Sequence, residues 1–277
     1  MPLGEEFIFL AIPIGLLIGI ICSIVGLGGG VLIIPTSIFL LGFEPKSAIV
    51  VSLFSMTALT ISASISYMKK HMVNYRLAML YNLWDIPGVI LGGAITLFIA
   101  NSVLAGICGS IIIVLAILLF RKDTSHFSKN QDSSNQNYDQ NKGQSKSKLD
   151  VSNPYIASFS SFSGGFITGL AGLGGGTADT TSMILLGMNP KRAAATSEFA
   201  MASTSFFGVL MHFLIGTYNG SLMWPIFMSL GTIIGAQIGT YLSTRMDNTI
   251  VRKLLACLAA YTGILLILLM FGIGWNV

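Results

Sequence analysis

The sequence predicts an all-α, polytopic membrane protein built from two inverted repeats, each a re-entrant helical hairpin with a glycine-rich tip plus three transmembrane helices. Three observations carry this prediction: an apolar composition, a duplicated glycine pentapeptide, and basic residues that fall on one side. Of the 277 residues, 53% are hydrophobic and 9% are charged, and the mean hydropathy is +0.78. Soluble domains carry about 25% charged residues, so we expect a lipid bilayer to surround this chain.

Apolar stretches of two lengths predict the helices. A helix needs about 20 apolar residues, at about 1.5 Å each, to cross the hydrocarbon of a bilayer. Eight stretches approach or exceed this length, and two are too short to cross. The long stretches are 7–25, 45–68, 77–98, 102–120, 154–171, 193–216, 222–242 and 250–273, and the short ones are 31–41 and 177–187.

The chain contains an internal duplication. The pentapeptide Gly-Leu-Gly-Gly-Gly stands at Gly26–Gly30 and again at Gly172–Gly176. The polar tract 121–153 has too few apolar residues to pack, so we expect a flexible linker between a first membrane repeat, 1–120, and a second, 154–277. Duplication of this kind is common in transporters. Other matched positions are Leu41–Lys46 with Leu186–Lys191, Ser52 with Ser197, and Gly88 and Gly92 with Gly231 and Gly235.

Basic residues indicate how the repeats are oriented, because lysine and arginine favour cytoplasmic loops. If each pentapeptide is the tip of a hairpin that returns to its own side, all 15 basic residues except Lys46 lie on one side. If each pentapeptide interrupts a single crossing, the basic residues divide between both sides. The hairpin arrangement is therefore favoured, with a cytoplasmic linker and both termini outside the cell membrane. The basic segments are 69–76, 121–153, 188–192 and 243–253.

The two tips are predicted to form an anion site near the middle of the bilayer. Hairpin 7–41 enters from outside and hairpin 154–187 enters from the cytoplasm, and each tip precedes a short helix. The first N–H groups of a helix lack intrahelical partners and carry partial positive charge, and glycine turns present further amides. Close helix packing is the other interpretation of these glycines. The candidate substrate-binding residues are Gly28, Gly29, Gly30, Gly174, Gly175, Gly176 and Thr177.

Hydroxyl groups follow both hairpins. Ser52 and Ser197 are repeat-matched, and Thr196 precedes Ser197. A hydroxyl in a dry site can donate to an anion, so these three side chains are further candidates for substrate binding. The alternative is that they join helices, as serine and threonine often do in membranes.

Three carboxyl groups interrupt the apolar stretches and are candidates for proton coupling: Glu198, Asp179 and Asp85. Glu198 has no acidic match in the first repeat, where Leu53 stands, and it would repel an anion unless it is protonated or off the path. For Asp179 the favoured interpretation is structural, with its carboxylate bonded to free N–H groups of a first helical turn. Asp85 is expected to face a partner helix or water.

The remaining composition argues against other chemistry. Cys22, Cys108 and Cys257 lie in apolar stretches without CxxC spacing, so we expect buried free thiols rather than disulfides or a metal site. A nucleotide site is dismissed, because no strand precedes either pentapeptide and no Gly-Lys-Ser/Thr follows. No cofactor and no nucleic-acid partner are expected. The expected partners are a small anionic substrate and the lipid bilayer, and a homodimer is left open.

The two pentapeptides, the following Leu-Gly-x-x-Pro-Lys segments, Ala195-Thr196-Ser197 and the paired Gly-x-x-x-Gly segments resemble the sulfite exporter TauE/SafE family, also called the toluene sulfonate uptake permeases. The resemblance covers both membrane repeats but not the linker. It implies secondary transport, with export favoured, of a sulfur-containing or organic anion such as sulfite or a sulfonate. The chain departs from the family pattern at Val50-Val51-Ser52 and at Glu198.

Two other functions remain open from the sequence. An intramembrane aspartyl enzyme would use Asp85 and Asp179, which must then lie close enough to share a proton. The surroundings of Asp179, Thr177-Ala178-Asp179, do not match the usual GxGD motif of such enzymes. A non-transporting membrane scaffold would instead use the linker as a docking tail. Transport is the function that the paired tips favour.

Overall fold

The computed structural model describes residues 5–43, 45–95, 154–216, 218 and 220–271, together with positions 110, 113, 114, 116 and 117. Every element within these residues is helical. The predicted linker 121–153 and most of the predicted crossing 102–120 lie outside the described residues, as does Cys108.

The first repeat forms two short and two long helices after an opening turn of 3₁₀-helix. The helix α1 ends at a glycine in the left-handed conformation, Gly26 (φ 79°), whose N–H bonds the carbonyl oxygen of Cys22. Gly28 and Gly29 also have positive φ, so the backbone turns where only glycine fits without strain. The elements are the turn Glu5–Leu10, α1 Ala11–Val25, α2 Gly30–Pro35 continued by the π-helical turn Thr36–Leu40, α3 Pro45–Lys69 and α4 Tyr75–Ile95.

The second repeat begins with the same pattern. Its turn also has positive φ, at Gly172 (63°) and Gly174 (82°). Helix α7 starts as sequence rules require, because the Asn189 side chain accepts a bond from the Lys191 N–H and a proline follows it. The helices are α5 Pro154–Ala171, α6 Gly176–Leu185, α7 Pro190–Ile215, α8 Met223–Arg245 and α9 Asn248–Met270.

Five helices of the described chain are long and apolar enough to cross a membrane. The first of them, Ile8–Val25, reaches that length within the first arm of the predicted hairpin 7–41. The protein is therefore a multi-pass helical membrane protein. The five segments are Ile8–Val25, Lys46–Lys69, Tyr75–Ile95, Pro190–Ile215 and Met223–Arg245.

Each repeat packs its first helix against the other repeat. Helix α1 lies along α8, and α5 lies along α4. Glycines allow both contacts: a Cβ on Gly19 would lie 2.8 Å from the carbonyl oxygen of Thr232, and a Cβ on Gly165 would overlap the carbonyl oxygen of Asp85. Helix α3 packs against α7 and α8 in the middle of the molecule. Cys22 is buried as expected, but Cys257 is exposed on α9.

Three basic segments meet at one end of α8. Lys70 Nζ donates to the carbonyl oxygen of Thr240 at 3.0 Å, and Lys191 Nζ donates to that of Thr244 at 3.2 Å. The guanidinium of Arg245 lies 4.3 Å from the centroid of the Tyr241 ring. The segments 69–76, 188–192 and 243–253 are thus neighbours in space.

Candidate functional site

The two pentapeptides touch each other. A Cβ on Gly30 would overlap the carbonyl oxygen of Gly172, and a Cβ on Gly176 would lie 2.6 Å from the carbonyl oxygen of Gly26. These glycines are required for close approach, since each added atom would meet backbone that cannot rotate away. We call residues 26–30 the first tip and residues 172–176 the second tip.

In each repeat, a serine donates a hydrogen bond to the tip of the other repeat. Ser52 Oγ donates to the carbonyl oxygen of Gly172 at 2.8 Å, and the matched Ser197 Oγ donates to that of Gly26 at 3.4 Å. Thr180 Oγ1 donates to the same Gly26 oxygen at 2.9 Å. Each serine has a single hydroxyl proton, so in this conformation Ser52 and Ser197 position the tips rather than donate to a ligand.

A second matched contact, this one within each repeat, lies one turn before each tip. Tyr67 Oη donates to the carbonyl oxygen of Ser23 at 2.6 Å, and His212 Nε2 lies 2.9 Å from the carbonyl oxygen of Gly169. Tyr67 and His212 occupy matching places on α3 and α7. Both side chains thus bind the backbone of the helix that leads into the tip of their own repeat.

Both tips present amides without acceptors. Among the described residues, no acceptor takes the N–H groups of Gly29, Gly30 and Val31 in the first tip, or those of Gly175, Gly176 and Thr177 in the second. Unpaired buried N–H groups are rare in folded proteins and invite an acceptor. The Thr177 hydroxyl is also buried without a partner. Two sets of donors therefore converge where the tips meet.

One carboxyl group already lies at the first tip. The Gly28 N–H donates to Glu198 Oε1 at 3.3 Å, while Glu198 Oε2 is buried without a partner. The side chain comes from α7, eight residues after Pro190 and so about 12 Å along that helix. A carboxyl oxygen thus occupies the amide of Gly28 in this structure.

Two methionines that the sequence reasoning missed cover the tips. A Cβ on Gly28 would lie 2.8 Å from Met201 Sδ and 3.1 Å from Met56 Sδ, and one on Gly174 would lie 2.9 Å from Met56 Sδ. Met56 and Met201 are both buried and both stand eleven residues after a repeat-matched proline. Their shared register was the signal that could have identified them. Methionine is flexible enough to move aside for a ligand.

Thr196 lies elsewhere than at the tips. Its Oγ1 donates to the carbonyl oxygen of Arg192 at 2.7 Å and accepts the Asn74 N–H at 3.1 Å. The hydroxyl therefore joins α7 to the turn before α4.

Asp85 and Asp179 are both fully buried and lie against consecutive glycines of α5: a Cβ on Gly164 would lie 2.8 Å from Asp179 Oδ1, and one on Gly165 would overlap the backbone of Asp85. The Asp85 carboxyl oxygens lie 3.0 Å from Ser161 Oγ and 3.4 Å from Thr204 Oγ1, and both hydroxyls lie closer to backbone carbonyl oxygens, those of Tyr81 and Ala200. The capping role expected for Asp179 is wrong, because no N–H or O–H group of the described residues donates to either of its carboxyl oxygens. Its side chain points away from the free amides and towards α4 and α5, where Gly164 leaves it room.

The long apolar helices define a multi-pass membrane protein. Its two glycine turns meet in the interior, between the two halves of the chain. Comparison with known proteins identifies its family. The model of the family described as sulfite exporter TauE/SafE matches residues 11–266, so the chain belongs to that family. No solved structure matches the chain.

Curated relatives carry transporter names. The chain is 26% identical to the probable membrane transporter protein YunE of Bacillus subtilis, over 94% of this chain and 99% of the relative. It is 25% identical to a probable membrane transporter protein of Haemophilus influenzae, over 94% of each chain. It is 24% identical to the probable membrane transporter protein MJ0441 of Methanocaldococcus jannaschii, over 97% of this chain and 99% of the relative. The protein is therefore a probable membrane transporter.

Proposed function

We propose that the protein is a secondary transporter that exports a small sulfur-containing or organic oxyanion, such as sulfite or a sulfonate. The site lies between the two tips, and the protein opens to either side of the membrane by alternating access. The observation that supports this proposal most directly is the contact of the two glycine turns. Their backbone N–H groups, from Gly29 to Val31 and from Gly175 to Thr177, have no acceptor among the described residues. The family description supports the sulfur oxyanion as the substrate class.

Inverted repeats give this site its two-sided access. The reciprocal bonds from Ser52 and Ser197 support a two-fold relation between the repeats. The meeting of Lys70, Lys191 and Arg245 at one end of α8 supports the hairpin arrangement, since single crossings would place the first of them on the side opposite the other two. Two related repeats around one site can exchange conformations, which opens the site to opposite sides in turn.

Glu198 sets the condition for binding. In this structure its carboxyl group accepts the hydrogen bond from the Gly28 N–H that a substrate oxyanion would use. Substrate binding therefore requires this carboxyl to move away or to carry a proton. Met56 and Met201 must also move, because they fill the space beside Gly28 and Gly174.

Flux measurements test the proposal. Purified full-length protein in proteoliposomes should carry radiolabelled sulfite or sulfoacetate, and anions that bind should raise its melting temperature, with a stabilisation that grows as the logarithm of 1 + [anion]/Kd. Deletion of 124–150 should leave flux intact, whereas a docking scaffold would lose its function. Folded protein that carries no oxyanion in this panel would contradict the proposal.

One observation favours the aspartyl-enzyme alternative: Asp85 and Asp179 lie close to each other. Both carboxyl groups are enclosed, however, by Ser161, Gly164 and Thr204 from neighbouring helices. A peptide bond could not reach them without separation of α5 from α4. Membership of a transporter family favours a role for the pair within transport.

A further inference from the structure

The second tip is mechanically joined to the carboxyl pair of Asp85 and Asp179. Asp179 lies in the first turn of α6, three residues after Gly176. The next residue, Thr180, donates through Oγ1 to the carbonyl oxygen of Gly26 in the first tip. Asp85 lies ten residues into α4, about 15 Å along it and thus halfway across about 30 Å of hydrocarbon. Because Asp179 and Thr180 are neighbours on α6, a shift of α6 that changes the spacing of the two carboxyl groups also changes the contact between Thr180 and the first tip.

Within the described part of the chain, no cationic side chain balances the charge of this pair. Among the described residues no lysine, arginine or histidine side chain acts on either carboxyl, and the titratable neighbour is Tyr81, whose hydroxyl lies 2.7 Å from Ser182 Oγ. Helix α5 presents Ser161 and Gly164 to the pair, and α7 presents only the Thr204 hydroxyl. Two adjacent carboxylates in such a place cannot both stay ionised while they remain together.

The fold does not require acids at these positions. The repeat-matched residues in the other half of the molecule are apolar: Ile33 stands for Asp179, Met228 for Asp85 and Leu59 for Thr204. There Ile33 and Leu59 both come within 3.1 Å of a Cβ on Gly29, so they fill the equivalent space with methyl groups. In the first half, methyl groups therefore stand at the positions that Asp179 and Thr204 occupy in the second, which supports a purpose for the acids beyond packing.

We propose that Asp85 and Asp179 share one exchangeable proton and that this proton is the coupling ion for transport. The inference rests on the proposed function. With one proton between them, the carboxyl groups hold α6 against α4, and the second tip keeps its contact with Gly26. Release of the proton to water leaves two carboxylates that repel, which separates α6 from α4 and changes the access of the site. Substrate movement and proton movement are then linked through one hairpin.

Infrared difference spectroscopy of the reconstituted full-length chain tests the shared proton without any substrate. A pH titration should show the carbonyl band of a protonated carboxyl, shifted in heavy water. Asp85→Asn and Asp179→Asn should each alter the frequency and midpoint of that band, and the double variant should abolish it. Glu198→Gln, the matched control, should leave it unchanged. If each single variant keeps an unaltered band, or if Glu198→Gln removes it, the inference fails.

Folding of the variants is checked by a milder change. Ser161→Ala removes one hydrogen bond to Asp85 but no carboxyl, so it should move the midpoint while the band persists. A wild-type band that does not titrate, or a midpoint that Ser161→Ala leaves unmoved, overturns the proposal even if the asparagine variants do not fold.

Flux separates this inference from the proposed function. In proteoliposomes, a pH gradient should drive accumulation of sulfoacetate, whose charge is constant around neutral pH. Asp85→Asn and Asp179→Asn should abolish that accumulation and retain exchange of labelled for unlabelled sulfoacetate. Wild-type flux driven by a sodium gradient alone would overturn the coupling while the transporter assignment stands. Absence of all wild-type flux, with the infrared result as expected, would overturn the transporter assignment and leave the shared proton.

Discussion

The two hairpin regions of this chain use the same backbone plan and different side chains. In both, a helix ends in a glycine turn, a short helix follows, and a serine from the other repeat donates to the carbonyl oxygen of the turn. The regions differ at matched sequence positions, where the first short helix has Ile33 and the second has Asp179, and where α8 has Met228 and α4 has Asp85. The shared features build the site, and the divergent ones give each hairpin its own chemistry.

The largest effect is expected where the tips touch. Gly30→Ala and Gly176→Ala each place a methyl group on backbone of the other tip. Overpacking in a core costs about 1–3 kcal/mol, and rigid backbone should bring these variants to or beyond the upper end. Gly93→Ala is the control, since among the described residues the atom nearest to its added Cβ is the Met211 Cβ at 3.7 Å. Thermal unfolding in detergent measures the stability of the variants, and flux in proteoliposomes measures their activity. Tip variants that are as stable and active as Gly93→Ala would refute the contact.

The two serines allow a direct comparison between the tips. Ser52→Ala leaves the Gly172 carbonyl oxygen without its 2.8 Å donor and should destabilise by about 1–3 kcal/mol. Ser197→Ala should cost less, because its bond to Gly26 is longer and Thr180 also serves that oxygen. Denaturant unfolding of the two variants measures the difference. A larger loss for Ser197→Ala would reverse the ranking of the two contacts.

Glu198 distinguishes the first tip from the second. Glu198→Gln keeps the side-chain size and removes the charge beside the Gly28 amide. We expect oxyanions to bind about tenfold more tightly, or about 1.4 kcal/mol, since the competing anion is gone. Anion-dependent shifts of melting temperature measure the affinity, with Glu198→Asp as the charged control. Equal affinities in Gln, Asp and wild-type proteins would show that Glu198 does not compete with substrate.

The smallest effect is expected one turn before the first tip. Tyr67→Phe removes the 2.6 Å hydrogen bond to the Ser23 carbonyl oxygen and leaves the ring in place. A loss of about 0.5–1.5 kcal/mol in unfolding free energy should follow, with flux nearly unchanged. Abolished flux with normal stability would assign Tyr67 a role in transport that its structural contact does not explain.

Much of the architecture could be predicted from the sequence, because apolar length and glycine position are local signals. The short helices predicted at 31–41 and 177–187 appear as Gly30–Leu40 and Gly176–Leu185. Three features of the site needed the packed structure. The serine hydroxyls are used by backbone, Met56 and Met201 lie over the tips, and Asp179 faces Asp85 instead of capping its helix. Each depends on which helices meet, and Gly-x-x-x-Gly segments indicate close packing without naming the partner.

The central claim is that the matched tips belong to inverted hairpins, and Lys46 and Lys191 test it most directly because they occupy the same repeat position. Lys46→Cys and Lys191→Cys are made separately, with Cys108 and Cys257 replaced by serine and the buried Cys22 retained. Intact cells are treated with a membrane-impermeant thiol reagent. We predict that Lys46→Cys is labelled from outside and that Lys191→Cys is labelled only after permeabilisation. Labelling of both positions from the same side would contradict the inversion and, with it, the two-sided site.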